Sequence, residues 1–323
     1  MKAFSLVVIL FILAASVLLA GCSTPVTDSK ATEMNVTAKQ PNASFTTGLG
    51  DLEAGTIDTR YTNLTRFVDN AAAYAKEHGK VATLAAFNDP NGTFVEGDMY
   101  IFAYDMNGTT LALPFQQGLL GTDRRGLSDS NGVLFIDRMI ELARDHGGSL
   151  YYIYPNPAQN QREEFKLSSI RPVDNEWFIG AGIYLPELAA GFNTTERDEL
   201  VARVKQVRTY AQVQGAKKAI ADFNDRNGTF ADGSRYIFAY DYNGTTLALP
   251  FQPELIGSNR LNFSDTYGVK IIPWEISAAQ RGGGFVYVDY LNPDTGAVGL
   301  KLCYVAPVDD EWLVGSGIYT GRV

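Results

Sequence analysis

The chain carries two copies of one pattern. FNDPNGTF at 87–94 returns as FNDRNGTF at 223–230, and YIFAYDMNGTTLALPFQ at 100–116 returns as YIFAYDYNGTTLALPFQ at 236–252. The offset is 136 residues, and 24 of the 30 positions over 87–116 are identical between the copies. The register continues through Gly121/Gly257, Arg124/Arg260, Asp129/Asp265, Gly132/Gly268 and Tyr154/Tyr290. It then slips by one residue, so that Lys166-Leu167 matches Lys301-Leu302 and WFIGAGIY at 177–184 matches WLVGSGIY at 312–319. A period this long predicts a duplicated domain and excludes a solenoid of short repeats. The copies are placed at 59–187 and 195–323.

Each copy predicts the same order of elements. Residues 61–86 set Leu64, Phe67, Val68, Ala71, Ala75 and Ala82 near helical spacing, and 196–221 repeat the pattern with more charge. YIFAY then reads as a strand, Asp-x-Asn-Gly as a hairpin turn and TTLALPF as the returning strand. A short helix is expected over Phe135–Arg144, stopped by Gly147-Gly148. Strands are expected at Leu150–Tyr154, Phe165–Pro172 and Trp177–Tyr184. The fold class is therefore α+β, with an antiparallel sheet of about five strands behind a long N-terminal helix in each copy.

Composition narrows the function. The 323 residues hold 27 Lys+Arg against 36 Asp+Glu, a net charge of −9, and 46% hydrophobic residues. That length and apolar content suffice for two separate cores. The acidic balance excludes nucleic acid as a main partner, because such binders need a basic face. Two cysteines exclude a disulfide-dense scaffold, and two histidines leave little for a His-based metal cluster. Neither histidine is duplicated: His78 becomes Gln214 and His146 becomes Gly282. G-x-S-x-G, H-E-x-x-H and phosphate-loop motifs do not occur. Cys303 replaces Ser168 of the first copy and has no histidine partner in the pattern. No enzymatic activity, cofactor or metal is expected.

The N-terminus sets the address. Lys2 precedes a fifteen-residue apolar run, Leu6–Ala20, which has the length of a signal-peptide core and falls short of a spanning helix. The run ends Leu19-Ala20-Gly21-Cys22, which resembles the lipobox of secreted lipoproteins, with Cys22 as the lipidated residue. On this reading 1–21 is a signal peptide and Cys303 is the remaining thiol. An uncleaved membrane anchor is the alternative. Either way the chain is extracytoplasmic and tethered to the outer face of the membrane. Residues 22–58 are rich in Ser, Thr, Ala, Asn and Gly without apolar periodicity, and read as a flexible tether.

The string Y-I-F-A-Y-D-x-N-G-T-T-L-A-L-P, followed by L-x-G, D-x-x-G, Y-x-x-x-N-P, K-L and W-x-x-G-x-G-I-Y, resembles the Cache type-2 family in both copies. The resemblance implies tandem PAS-like extracellular sensor domains that bind organic acids, amino acids or other small metabolites. The chain departs from the family at Leu113-Pro114 and Leu249-Pro250, where His-Pro is common, so any contact made by that histidine is missing.

The candidate ligand-binding residues are Tyr104, Arg124, Tyr154 and Lys166 in the first copy, and Tyr240, Arg260, Tyr290 and Lys301 in the second. Both lysines fall inside apolar strands, where a cation either snorkels to the surface or meets an anion. Both arginines follow a loop glycine and offer a planar fork suited to carboxylates. Tyr100, Phe102 and Tyr104 share one strand face, as do Tyr236, Phe238 and Tyr240, and serve either as core or as pocket wall. Tyr152 and Tyr287 carry the same ambiguity. Asp105 and Asp241 read as turn residues. The expected partners are a carboxylate or amino-acid-like ligand, the membrane, and a membrane-spanning signalling or transport protein. The competing reading is a cell-surface structural or adhesion module without a ligand. A cavity of about 300 Å³ or more favours binding, and a dry aromatic-packed one favours the alternative.

Overall fold

The computed structural model describes residues 54–321, with side chains described from residue 59. The signal segment 1–21, the lipidation site Cys22 and most of the 22–58 tether lie outside the described residues. Helix α1 (Ala54–Phe87) begins inside the stretch read as tether and is kinked at Gly79, whose φ of 73° is open to glycine at no steric cost. Gly215, one repeat later, has φ 78° and divides the corresponding helix into α3 (Thr194–Gln214) and α4 (Ala216–Asn224). The long helix expected in each copy is therefore broken at the same glycine.

The bend brings Asn88 against the returning strand of the hairpin. Its Nδ2 donates to the Leu111 carbonyl at 3.0 Å, and its Oδ1 accepts from the Leu113 N–H at 2.9 Å. Asn224 holds Leu247 and Leu249 in the same way, at 2.9 and 3.0 Å. The asparagine of each F-N-D motif thus fastens helix to hairpin.

In the first half, a small hairpin of β1 (Val95–Glu96) and β2 (Met99–Tyr100) precedes β3 (Phe102–Asp105) and β4 (Thr110–Ala112). Asp105 Oδ1 accepts from the N–H groups of Asn107 and Thr109 at 2.9 and 2.8 Å, so the Asp-x-Asn-Gly string is a turn. Helix α2 occupies Phe135–Arg144, and β5 (Gly148–Asn156), β6 (Arg162–Pro172) and β7 (Trp177–Tyr184) follow. The sheet order is β4-β3-β7-β6-β5, antiparallel throughout.

The second half repeats this with β8 (Phe238–Asp241), β9 (Thr246–Ala248), α5 (Ile271–Gln280), β10 (Gly284–Leu291), β11 (Val298–Pro307) and β12 (Trp312–Tyr319). Its order is β10-β11-β12-β8-β9, again antiparallel. β6 and β11 are interior strands of their sheets. Among the described residues no helix is long and apolar enough to cross a membrane.

Alternation assigns the two faces of the first sheet. Ser149 and Arg171 point towards α1, where they meet Tyr61 and Asp69. Tyr152, Tyr154 and Lys166 take the other face, and the first two join Phe135 and Met139 of α2 around one small cavity.

The halves meet along the outer strands β5 and β10, and the described residues lie in one compact unit. Tyr151 donates from its hydroxyl to Asp265 Oδ2 at 3.0 Å. Its repeat mate Tyr287 crosses the other way to Asn131, whose Nδ2 donates to the Tyr287 hydroxyl at 2.8 Å. Tyr61 of α1 completes the contact by donating to the Tyr267 carbonyl at 2.5 Å.

Candidate functional site

Lys166 and Lys301 are 0% and 1% exposed, so neither is an edge-strand lysine reaching for water. Lys166 Nζ stands 4.0 Å from the Tyr100 ring centroid and 4.7 Å from that of Tyr184, and donates to the Tyr184 hydroxyl at 3.5 Å. Lys301 Nζ stands 3.9 Å from the Tyr236 centroid and 5.1 Å from that of Tyr319, with no hydrogen-bond partner among the described residues. Ring faces attract cations but do not replace a hydration shell. Burial accordingly pulls the Lys166 ammonium down to about 7, the Asp98 charge opposing the shift, and lowers Lys301 for the same reason.

Space for the lysine stems comes from the closing motif. A Cβ on Gly182 would lie 2.7 Å from Lys166 Cε, and one on Gly317 would lie 2.5 Å from Lys301 Cε. The second glycine of each W-x-x-G-x-G-I-Y is thus the floor beneath the lysine, and the tyrosine that ends the motif is its lid.

The remaining candidates gather around these lysines. Tyr104 and Tyr154 join Tyr100, Phe135, Met139 and Tyr152 around a cavity of about 10 Å³. That is room for one water and far below the size of a metabolite pocket, which is on the order of 300 Å³. In this conformation the first-half site is packed by its own rings. Arg124 is half-buried beside Tyr154 and Tyr104, its charge opposing the rise that burial causes in both phenols. Its Nη1 is buried without a hydrogen-bond partner.

Arg260 is 7% exposed and more committed: Nη1 donates to the Tyr290 hydroxyl at 2.9 Å, and the guanidinium lies 4.0 Å from the Phe263 centroid. Tyr240 completes this second cluster, within the electrostatic reach of Tyr290 and Arg260.

Three kinds of residue escaped the sequence reading. Gln116 and Gln252, last in the long repeated string, accept from the Tyr154 and Tyr290 hydroxyls at 2.5 and 2.7 Å. Tyr100 and Tyr236, by contrast, were read as core or pocket wall, and they are the rings directly against the lysines. Tyr184 and Tyr319 close the other side. Glu275, on α5 where α2 has Met139, is 2% exposed, and its Oε2 has no hydrogen-bond partner. Burial lifts its carboxyl to about 8, against the pull of Lys301 and Arg260. Comparing the copies for identities hides this residue, since it is a difference.

Tyr152 and Tyr287 prove unlike: Tyr152 lines the cavity, whereas Tyr287 is the mate of Tyr151 and faces the other half. Elsewhere a groove of about 170 Å³ runs between Glu199, Arg203, Arg235 and Ile318, and holds none of the candidates.

The chain is similar in part to several known proteins. The sensor histidine kinase MctS of Rhizobium johnstonii is 38% identical over 89 residues, 27% of this chain and 19% of that protein, so the chain spans about a fifth of that relative's length. A methyl-accepting chemotaxis protein from Vibrio parahaemolyticus aligns at 26% identity with a TM-score of 0.35, covering 39% of this chain and 88% of that one. The ligand-binding domain of the Pseudomonas aeruginosa amino acid chemoreceptor PctB, in complex with L-Arg, aligns at 14% identity with a TM-score of 0.24, covering 82% of this chain and 88% of that one. The family model described as Cache domain matches residues 90–323, which takes in both five-stranded sheets and more than half of the chain. The chain belongs to the Cache domain family.

Proposed function

We propose that the chain is an extracytoplasmic sensor or receptor for a small organic acid or amino-acid-like metabolite. Its two Cache domains, 59–187 and 195–323, each hold a candidate site beside a buried lysine. Tyr104, Arg124, Tyr154 and Lys166 form the first site, and Tyr240, Arg260, Tyr290 and Lys301 the second. Cys22 carries the lipid that holds the protein at the outer membrane face. A separate membrane-spanning protein receives the signal or the ligand.

One observation carries the binding reading: two cations sit fully buried at equivalent places, and neither forms an ion pair among the described residues. A buried charge without a counter-charge destabilises the fold, and an incoming carboxylate offsets that cost. Family membership and the 89-residue similarity to a sensor histidine kinase support a sensory role.

The packed cavity of about 10 Å³ favours a second reading, a ligand-free structural or adhesion module at the cell surface. Thermal-shift titration of the full chain in detergent with acetate, propionate, lactate and alanine separates the two. A saturable rise in melting temperature is expected for binding. No shift with any of them favours the adhesion module. The anchor is tested separately: Cys22→Ser is expected to release the protein from membranes or block its processing, and a variant that stays membrane-bound with an intact N-terminus contradicts lipidation.

A further inference from the structure

Three positions that line the first-half cavity change in the second half, Phe135 to Ile271, Met139 to Glu275 and Tyr152 to Val288, and only the second of these introduces a charge. Met139 lines the first-half cavity beside Tyr104 and Tyr154. Its repeat mate Glu275 takes the same place on α5 and lies within the electrostatic reach of Tyr240, Arg260, Tyr290 and Lys301. Glu275 and Lys301 are both almost wholly buried, each has a polar atom without a hydrogen-bond partner, and they do not close on one another as an ion pair. Arg260, the other cation nearby, is already engaged with the Tyr290 hydroxyl.

An acid and a base buried in one site without a direct ion pair each resist charging, and a partner of opposite charge offsets that cost. A monoanion would satisfy Lys301 and bring its own negative charge towards Glu275. A monocation would satisfy Glu275 and oppose Lys301. A small molecule carrying a carboxylate and an ammonium satisfies both.

We infer that Glu275 determines specificity in the second half, so that this half takes a small zwitterion, its ammonium on Glu275 and its carboxylate on Lys301. The first half, with Met139 in that place, takes an acid without an ammonium. This inference rests on the ligand-binding reading above and narrows it.

Matched pairs of probes test it: alanine with propionate, and phenylalanine with 3-phenylpropionate. Calorimetric titrations use the full chain in detergent and a Lys166→Met background, which disables the first site. In at least one pair the amino acid is expected to bind roughly ten- to hundredfold more tightly than its acid, the worth of one charge-assisted contact. Glu275→Met and Glu275→Gln are each expected to erase that preference. Glu275→Met, which installs the residue used in the first half, is also expected to raise the melting temperature of the ligand-free protein, so lost preference cannot be ascribed to misfolding. Acids that bind as well as their amino acids, or a preference that survives both substitutions, overturn the inference and leave the binding reading standing. If none of the four probes binds even the unmodified chain, the binding reading falls, and the inference with it.

Discussion

Lys166 lies over the face of Tyr100, its Nζ 4.0 Å from the ring centroid, and Lys301 repeats the arrangement over Tyr236 at 3.9 Å. Each ammonium is held by ring faces where a buried cation ordinarily has a carboxylate. The expected behaviour of the protein follows from that arrangement.

The first consequence is for stability. Lys166 ionises near 7 in the fold and near 10.5 when free, so the unfolded chain holds the extra proton between those values. Stability therefore rises with pH across that window. Lys166→Met is expected to stabilise the ligand-free protein by about 2–4 kcal/mol at and below pH 7, the gain fading to nothing above about pH 10.5. Urea unfolding of both proteins at pH 6, 8 and 10 measures this.

The second concerns ligand affinity in the first half. Above pH 7 Lys166 of the free site is mostly uncharged, so pairing it with a carboxylate must recruit a proton. Affinity for an acid is expected to be flat below pH 7 and to fall by up to about tenfold per unit above it. Titration from pH 6 to pH 9 in the Lys301→Met variant isolates this site.

The glycines under the lysines give a third. In Gly182→Ala the new methyl would meet Ser168 Oγ at 2.2 Å as well as Lys166 Cε at 2.7 Å. A loss of about 1–3 kcal/mol is expected from such overpacking, along with weakened acid binding, because the lysine must move. An unchanged unfolding midpoint contradicts the close approach.

The fourth addresses the contact between the halves. Tyr151 and Asp265 are distant in sequence and share a partly buried hydrogen bond of 3.0 Å. A double-mutant cycle of Tyr151→Phe and Asp265→Asn is expected to show a coupling of about 1–2 kcal/mol. Unfolding is expected as one transition for both halves. Two resolved transitions, or additive effects, would show that the halves are energetically independent.

The parts legible in the sequence were those set by period and punctuation. The Phe135–Arg144 helix and the Trp177–Tyr184 strand fall where their apolar spacing and flanking turns place them, and the doubled pattern returns as two sheets with one strand order. The breaks at Gly79 and Gly215 were not legible, because a glycine within a helical pattern is tolerated as often as it ends one. Lys166 and Lys301 stood out as charges inside apolar strands, yet a period of two does not tell which face of a sheet is covered. Contacts such as Tyr151 with Asp265 depend on how the two halves dock, which no local pattern encodes.

The most direct test of the central claim is calorimetric titration of the full chain, and of its Lys166→Met/Lys301→Met double variant, with the acid that gives the largest thermal shift. Saturable binding by the unmodified chain is expected. Loss of one charge-assisted contact at each site is expected to weaken it at least ten- to hundredfold in the double variant, while the variant stays folded and melts at a higher temperature. A double variant that binds as tightly as the unmodified chain contradicts the assignment of the buried lysines as the ligand's counter-charges.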